Sequence, residues 1–511
     1  MVRGIGQWNN RTPDCRHHWI CNRVRYKVDH CAPEFLCRSC RVVLSHSFLV
    51  MQSLFRWVSL ALFLSSPVLS SPVLTTRATT SGTFNLLTYN VAGLPEILSS
   101  GDPEADTSQI SPRLTNYNIV NVQEDFNYHA TLYAGDDHPY RSATSGGAGI
   151  GSGLNTLSDF PFIDYERVGW DDCNLNSGDC LTPKGFTFTR VRVSEGVWVD
   201  LYDLHTDAGD EAGDITARSK NFAQLTSWIN TWSAGMPFVV MGDTNSRYTR
   251  NGDADTLRNF VANTGSVDSW VQHIRGGTPP PGNTDALVCP FPFPAGTSQD
   301  TMNACETVDK FFIRGSKTLS LASTSFNNEN LAFQNATGAP LSDHYPLTSN
   351  VAWTLSSSLR LGDTSGGPHG DPFNDVAGVL SGEVPILTSV TIRGGSRVDA
   401  VSFTVKYKSG STSTASHGGT GGDAKTLNLA SGEFVNSVTT CWGQKSGHTR
   451  VFYASLTTNK GNTLTNGATT SDCQTITVPS DKGDGAWGLV GFWGRSGDEI
   501  DRLGPVWGAS Y

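Results

Sequence analysis

Residues 341–347 read Leu341-Ser342-Asp343-His344-Tyr345-Pro346-Leu347. A carboxylate followed by an imidazole suits a site in which an oxygen ligand holds a cation while a histidine faces a phosphate. Ser-Asp-His alone is weak evidence, because the same residues also form ordinary polar turns. The interpretation therefore depends on whether partner residues occur upstream.

Five upstream segments supply such partners, and each closes or carries an apolar run: Thr88-Tyr89-Asn90-Val91, Val122-Gln123-Glu124, Leu204-His205-Thr206-Asp207, Met241-Gly242-Asp243-Thr244-Asn245 and Val308-Asp309-Lys310-Phe311-Phe312. Short apolar runs bounded by polar residues are typical of buried strands. Strands packed side by side bring their downstream ends to one rim of the sheet. The sequence therefore predicts that one cleft contains Asn90, Glu124, His205, Asp243 and Asn245.

Composition indicates a β-rich extracellular protein of more than one domain. The 511 residues exceed one ordinary hydrophobic core, 16% of them are charged and 53 are glycine. Residues 1–50 carry a net charge of +5, which leaves −15 for residues 51–511. Such an acidic body disfavours bulk attraction to nucleic acid, although it is compatible with a locally positive cleft. One clear helix is predicted, from Thr216 to Trp232.

A secretory signal peptide is predicted at residues 51–71. Arg56 precedes the apolar core at residues 57–64, and small residues follow near Ser70. Since signal peptides begin a chain, we interpret residues 1–50 as a gene-model extension or a disordered segment. The mature protein is then expected to start between residues 71 and 79. A signal anchor with a short basic tail is the alternative.

Six cysteines follow the predicted signal peptide and favour disulfides in an oxidising compartment. Their proximity in the sequence favours three pairs: Cys173 with Cys180, Cys289 with Cys305, and Cys441 with Cys473. Asn335-Ala336-Thr337 is a glycosylation acceptor and predicts a surface loop. The five earlier cysteines fit no standard zinc pattern.

A metal site is predicted from the oxygen-bearing side chains. Hydrolysis of a phosphate ester needs a cation, an activated water and donors to the phosphate oxygens. Glu124 is the natural Mg²⁺ ligand, and Asn90 and Asp343 are further oxygen donors. Mn²⁺ and Ca²⁺ are the alternative ions.

The remaining polar residues of the six segments suit proton transfer. Asp243 can accept the proton of an attacking water that Asn245 orients. His205 and His344 can bind the phosphate and protonate the leaving oxygen, while Asp309 fixes the tautomer of His344.

Together the six segments resemble the endonuclease/exonuclease/phosphatase superfamily, which has the deoxyribonuclease I fold. The resemblance covers residues 82–353 and implies an α/β two-layer β-sandwich flanked by helices, with a divalent-metal phosphoesterase site at its rim. Residues 151–158 and 177–186 are similar to the neutral sphingomyelinase branch. Two departures leave the substrate open. The His-x-Gln of bacterial sphingomyelinases is His205-Thr206-Asp207 here, and the Gly-Asp-x-Asn core has Thr244 at its centre.

An aromatic, proline-rich loop at residues 289–294 lies between Asn245 and Asp309. Phe291 and Phe293 could dip into a bilayer beside the cleft. Loops of this composition also fold over the edge of a core, and the sequence leaves both interpretations open.

Residues 358–511 resemble a jacalin-type lectin. The resemblance rests on the Gly366-Gly367 loop, the alternating strand at residues 398–407 and the closing Gly-x-x-x-Asp segment at residues 497–501. It implies an all-β β-prism of three small sheets with a sugar site. The alternative is a prism whose sugar site has decayed. The implied carbohydrate-binding residues are Gly367, Gly497, Asp498, Glu499 and Asp501.

These features predict a secreted, Mg²⁺-dependent phosphoric ester hydrolase similar to sphingomyelinases, with a phospholipid or another phosphodiester as substrate. The lectin would hold it on cell-surface or cell-wall glycans. One alternative is an extracellular endonuclease with an arginine-rich cleft. The other is a carbohydrate-binding protein with an inactive phosphoesterase domain, which requires the loss of an essential residue that the sequence retains.

Overall fold

The computed structural model describes residues 79–99, 101–176, 178–282, 284, 287–481 and 485–511. The predicted leader, residues 1–50 and 51–71, lies outside the described residues. All the described residues belong to one compact unit. Within these ranges, no helix is long and apolar enough to cross a membrane.

The first domain is a sandwich of two six-stranded sheets. Its strands are β1 (Ser81–Asn90), β2 (Ile119–Gln123), β3 (Tyr140–Arg141), β4 (Asn155–Ser158), β5 (Phe162–Gly169), β6 (Gly185–Ser194), β7 (Val197–His205), β8 (Phe238–Asp243), β9 (Val267–Asp268), β10 (Asp309–Arg314), β11 (Leu319–Asn328) and β12 (Leu347–Leu355). The strand order is β11-β12-β1-β2-β4-β3 in one sheet and β5-β6-β7-β8-β10-β9 in the other.

Helices flank the two sheets: α1 (Pro103–Leu114), α2 (His129–Ala134), α3 (Ala212–Trp232), α4 (Asp253–Thr264), α5 (Ser269–Ile274) and α6 (Gln299–Ala304). Helix α3 begins four residues before the predicted Thr216. Glu211 and Asp214 form a capping box there, in which each side chain accepts a hydrogen bond from a backbone N–H of the first turn. The apolar spacing used for the prediction does not contain this polar signal.

One apolar core fills the space between the sheets. Phe186 of β6, Leu201 of β7 and Val240 of β8 are fully buried in it, together with Leu86 of β1 from the opposite sheet. Strands β7 and β8 are buried along their whole length; β8 begins with a continuous apolar run at residues 238–241, whereas β7 also contains the buried Asp200 and Asp203. The structure confirms the predicted α/β sandwich.

The second domain consists of three antiparallel sheets around a common core. It confirms the predicted β-prism. Its strands are β13 (Leu359–Leu361), β14 (Ser365–Gly366), β15 (Asp371–Asn374), β16 (Ile386–Gly394), β17 (Val398–Lys406), β18 (Thr412–Gly418), β19 (Asp423–Asn428), β20 (Val435–Lys445), β21 (His448–Thr458), β22 (Thr463–Gly467), β23 (Asp472–Thr477), β24 (Trp487–Ser496) and β25 (Ile500–Ala509).

Three disulfides close local loops of the two domains. The pairs are Cys173–Cys180, Cys289–Cys305 and Cys441–Cys473, with Cα atoms 5.5, 4.9 and 4.0 Å apart. All three predicted pairings are confirmed.

Buried charges join the two domains. Asp164 of β5 accepts hydrogen bonds from the guanidinium groups of Arg495 in β24 and Arg502 in β25. Trp198 of β7 packs edge-on against Trp493, with ring centroids 5.5 Å apart. These contacts lie at the end of β5–β7 that is opposite the downstream end of β7, so the lectin domain docks away from the predicted catalytic rim.

Candidate active site

The downstream ends of two pairs of parallel strands meet at one rim, as the sequence predicts. Asn90, the last residue of β1, is paired with Gln123 of β2, and His205 of β7 is paired with Asp243 of β8. Asp309 begins β10 directly opposite Asp243 in an antiparallel pairing. Strand register therefore fixes the spacing of the polar side chains at this rim.

Asn90 links the two sheets across the cleft. Its Nδ2 donates to Glu124 Oε1 at 3.2 Å and to Asp243 Oδ2 at 3.2 Å. Glu124 has a positive φ of 59°, and its carbonyl accepts a hydrogen bond from Gly93 N at 3.0 Å. This uncommon backbone conformation follows the end of β2 and is the type of local strain that accumulates at functional sites.

Two histidines flank the carboxylate of Asp243. His205 Nε2 lies 3.3 Å from Asp243 Oδ2, and His344 Nε2 lies 3.6 Å from the same oxygen. On its other side, His344 Nδ1 lies 3.0 Å from Asp309 Oδ2. This arrangement holds His344 between two buried carboxylates.

The electrostatic environment shifts the pKa values of the two histidines in opposite directions. Burial and the nearby Lys184 lower the pKa of His205 to about 3. Burial also opposes the charge of His344, but Asp309 and Asp243 outweigh it and hold its pKa well above the usual value. His205 is therefore a neutral imidazole at neutral pH, whereas His344 is an imidazolium.

The carboxylates of the cleft also differ. The two histidines lower the pKa of Asp243 in spite of its burial. Burial raises the pKa of Glu124, and Lys184 and His344 counteract this only in part. Asp243 is therefore ionised at neutral pH, whereas Glu124 is a carboxylate that a bound cation would stabilise.

The donor set near Glu124 fits a hard divalent cation. Glu124 and Asn90 supply carboxylate and amide oxygens, and the hydrogen bond from Asn90 Nδ2 to Glu124 Oε1 at 3.2 Å keeps the two side chains together. Asp243, Asp309 and His344 also form a group whose ligand atoms lie within 4.8 Å of one another.

Asn245 and Asp343 lie at the edge of the cleft that contains Glu124, Asp243 and His344. Asn245 has a φ of 44°, and its Nδ2 donates to Thr206 O at 3.1 Å. Asp343 is exposed and faces a cavity of about 220 Å³ that also contacts Phe291. Its neighbour Ser342 donates to Asn90 O at 2.7 Å, which keeps Asp343 beside the cleft.

Lys184 is a residue of the site that the sequence analysis did not assign. It precedes β6, forms an ion pair with Asp179, and its Nζ lies 3.5 Å from Thr206 O. Its charge acts on Glu124, His205 and Asp243. The signal in the sequence was a lysine directly before the strand that pairs with the His205 strand.

A second cavity, of about 300 Å³, lies in the prism domain. Four of the five predicted sugar-binding residues line it: Gly497, Asp498, Glu499 and Asp501. The fifth, Gly367, is adjacent, and its N–H donates to Asp501 O at 2.8 Å. Gly366 has a φ of 125°, and a Cβ there would collide with the Asp501 carbonyl, so only glycine fits this approach.

Cations from the β20–β21 hairpin, and Arg397 directly before β17, pair with Asp501 and Glu499 of this cavity. Asp501, only 2% exposed, is ion-paired with Arg450. Glu499 accepts hydrogen bonds from Arg397 at 2.7 Å and from Lys445 at 2.8 Å. These interactions lower the pKa of Glu499 to about 2. The sequence analysis missed these cations because they lie about 50 or more positions away in the chain.

Each of the two domains is similar to a known protein family. Residues 104–273 match the family described as Endonuclease/Exonuclease/phosphatase family 2, and residues 363–506 match the Jacalin-like lectin domain. The chain therefore joins a domain of the endonuclease/exonuclease/phosphatase family to a jacalin-like lectin domain. The relatives that the chain matches in its first domain include sphingomyelinases.

Two relatives illustrate this division. The sphingomyelinase of Mycobacterium tuberculosis is 38% identical over 277 residues, which cover 52% of this chain and 52% of that protein. Horcolin of Hordeum vulgare is 32% identical over 124 residues, which cover 23% of this chain and 79% of horcolin. The chain spans about half the length of the sphingomyelinases it matches. Among solved structures, sphingomyelinase C of Streptomyces griseocarneus is 18% identical, with a TM-score of 0.36, covering 53% of this chain and 99% of its own.

Proposed function

We propose that this protein is a secreted, divalent-metal-dependent phosphodiesterase that cleaves the headgroup of a phospholipid in the manner of a sphingomyelinase. The observation that carries the proposal is the cationic His344 held between Asp243 and Asp309 at the rim that also contains Glu124. The 38% identity to a sphingomyelinase supports the lipid substrate over nucleic acid. The net charge of −15 on residues 51–511 also disfavours a nuclease.

Glu124 and Asn90 would hold the cation, with Asp343 beside them. Hard oxygen donors of this type suit Mg²⁺. When bound, the ion supplies positive charge that stabilises the phosphate oxygens in the transition state.

The side chains of the chain supply the proton transfers. Asp243, ionised and next to Asn245, accepts the proton of the water whose oxygen attacks phosphorus. Asp309 accepts a hydrogen bond from the Nδ1–H of His344 and so leaves the Nε2 proton for the cleft. As the bond between phosphorus and the leaving oxygen breaks, His344 gives that proton to the leaving oxygen, which departs as an alcohol. His205 is neutral and has no extra proton to give up at neutral pH, so we assign the acid role to His344 alone.

For the proline-rich loop at residues 289–294, we propose that Phe291 contacts the bilayer and that Phe293 does not. Both rings contact Tyr345: Phe293 stacks on it with ring centroids 4.4 Å apart, and Phe291 lies tilted against it at 5.2 Å. Phe291 is nevertheless 49% exposed, so the loop folds over the core edge and still presents one half-exposed aromatic ring to solvent.

The decisive experiment compares two substrates. Purified mature protein with Mg²⁺ is incubated with sphingomyelin vesicles and, in parallel, with duplex DNA. We expect release of phosphocholine, and a loss of about 10³-fold in the Glu124→Ala variant because the cation loses its main carboxylate. Asp343→Ala is expected to lose activity less severely, since its carboxylate is exposed.

The control variant is Glu195→Ala, which removes an exposed carboxylate from the β6–β7 turn at the opposite end of the sheet. It should retain wild-type activity. Acid-soluble nucleotides with intact vesicles would instead assign the protein to the nucleases.

For the lectin domain, we propose that Asp501 and the 497–499 turn bind sugar hydroxyls and that Arg450 competes with them. Because Arg450 already satisfies the Asp501 carboxylate, a neutral sugar must displace it. Arg450→Met is therefore expected to strengthen binding of methyl mannoside or methyl galactoside about tenfold, measured by calorimetry. Asp501→Asn should remove binding. Weaker binding by Arg450→Met would show that the guanidinium contacts the sugar itself.

A further inference from the structure

Large apolar side chains project from the loops around the catalytic cleft. Among the described residues, the five most exposed large hydrophobic side chains all lie on these loops: Ile97 (92%), Ile150 (79%), Leu175 (75%), Leu181 (73%) and Leu98 (67%). Phe291 belongs to the same group. We refer to these six residues as the rim arc. A cluster of this kind marks an interaction surface rather than scattered surface residues.

Strand direction places the rim arc at the cleft. Ile97 and Leu98 follow Asn90 at the end of β1. Ile150 lies in the loop between β3 and β4, whose Gly153 carbonyl accepts a hydrogen bond from Asp125 N, next to Glu124, at 2.9 Å. Leu175 and Leu181 lie between the end of β5 and the start of β6. Because β6 runs antiparallel to β7, its start lies beside His205, and Phe186 pairs with Leu204.

The loops contact one another in a continuous series. Residues Ser99 and Gly101 line the same cavity as Phe291. A hydrogen bond from Asn127 N to Gly93 O, 3.1 Å long, then joins the loop after β2 to the loop after β1. Asn127 Oδ1 then accepts from Ala148 N at 3.3 Å, which links the glycine-rich loop that carries Ile150.

The series ends at the disulfide loop. A Cβ at Gly149 would lie 3.7 Å from the carbonyl of Leu181, so the two loops are neighbours. The Cys173–Cys180 disulfide closes the loop that holds Leu175, and Phe293 anchors the Phe291 loop on Tyr345. These anchors reduce the entropy that the apolar side chains would lose on binding.

The charge of these loops restricts the partner. Residues 91–102, 144–153, 170–184 and 289–297 contain five Asp or Glu and a single Lys or Arg, which is Lys184. Lys184 is ion-paired with Asp179. Anionic membranes attract clusters of Lys and Arg, so this surface lacks the features needed to bind them.

We propose that the rim arc docks on an uncharged, zwitterionic phospholipid bilayer and places the cleft over its headgroups. The choice of a lipid partner rests on the proposed function. A protein bound to the rim arc would block the cleft, whereas a bilayer offers an apolar interior to the rim arc and a phosphodiester headgroup to the cleft that the arc surrounds. Apolar side chains that flank a polar centre match the layered structure of that surface.

Flotation with vesicles of phosphatidylcholine and sphingomyelin tests the proposal. The full mature protein with Mg²⁺ is mixed with vesicles that contain no glycolipid, and phosphocholine release is recorded in the same tubes. Wild type is expected to float, and high salt should leave the bound fraction unchanged. Ile97→Ser/Leu98→Ser and Leu175→Ser/Leu181→Ser should each weaken partitioning about tenfold or more, because each removes two inserted side chains.

The matched control is Val267→Ser/Ile386→Ser, which removes two exposed apolar side chains that lie off the rim arc. It should float like wild type. Absence of wild-type flotation, equal flotation of the arc variants, or binding that requires anionic lipid would each overturn the proposal. Flotation without phosphocholine release would retain the docking surface and contradict the proposed activity instead.

Discussion

The His344→Ala variant is expected to hydrolyse sphingomyelin about 10²–10⁴-fold more slowly than wild type, the range that one general acid contributes. His344 is the one ring at the rim whose neighbours hold its pKa well above the usual value. Its Nδ1 lies 3.0 Å from Asp309, which leaves Nε2 to carry the proton toward the cleft. An alkoxide that departs without this proton is a poor leaving group.

A change of leaving group separates this role from a structural one. Nitrophenyl phosphorylcholine releases a nitrophenolate, which leaves without protonation. His344→Ala should therefore lose far less activity on this substrate than on sphingomyelin, whereas Asp243→Asn should lose about the same on both, because water attack is common to the two reactions. Asp309→Asn should follow His344→Ala in its substrate dependence with a smaller loss.

His273→Ala serves as the control, since His273 is exposed on α5 and remote from the cleft. Equal losses by His344→Ala on both substrates would contradict the acid role and would leave phosphate binding as the function of that ring.

The rim could be predicted because its geometry follows from strand ends. Asn90, His205 and Asp243 each terminate an apolar run that is visible in the sequence, and parallel pairing makes such ends meet. The disulfides were predictable because each joins two cysteines that follow one another in the sequence, 7, 16 and 32 residues apart. The order of the segments, rather than any single residue, carried this information.

The charge partners could not be predicted in the same way. Lys184 follows the Cys173–Cys180 disulfide loop, and the fold brings its charge close to the rim. Arg450 forms an ion pair with Asp501 although the two residues lie in different sheets of the prism. Asp164 is the clearest case, because its partners Arg495 and Arg502 lie more than 300 residues away. Only the packed structure shows which of many surface-type residues become buried pairs.

Asp164→Ala is expected to lower the free energy of unfolding by about 3–5 kcal/mol, the cost of leaving a buried charge without its partner. Asp164 has a φ of 60° at a β-bulge of β5, which turns its carboxylate toward the lectin domain. The side chains of Arg495 and Arg502 are 4% and 6% exposed, so water cannot replace the lost carboxylate. Urea denaturation followed by tryptophan fluorescence measures the change.

The pH dependence of stability has a definite sign. Burial opposes ionisation of Asp164, but Arg502, Arg190 and Arg495 outweigh it and lower its pKa in the folded state. A lowered folded-state pKa contributes stability above the usual aspartate pKa, and this stability is lost as the pH falls through the folded-state value. Wild type should therefore lose stability in acid more steeply than Asp164→Ala, which lacks this group.

Glu166→Gln provides a graded comparison within the same interface. Glu166 lies 3.4 Å from Arg495 but its side chain is 35% exposed, so solvent screens the pair and we expect a loss of less than about 1 kcal/mol.

Because Arg495 and Arg502 flank the turn that carries the sugar-binding residues, Asp164→Ala should also uncouple the two domains. Calorimetry would then show two transitions in place of one. A single transition at the wild-type temperature would mean that the apolar contact of Trp198 with Trp493 holds the interface without the buried charges.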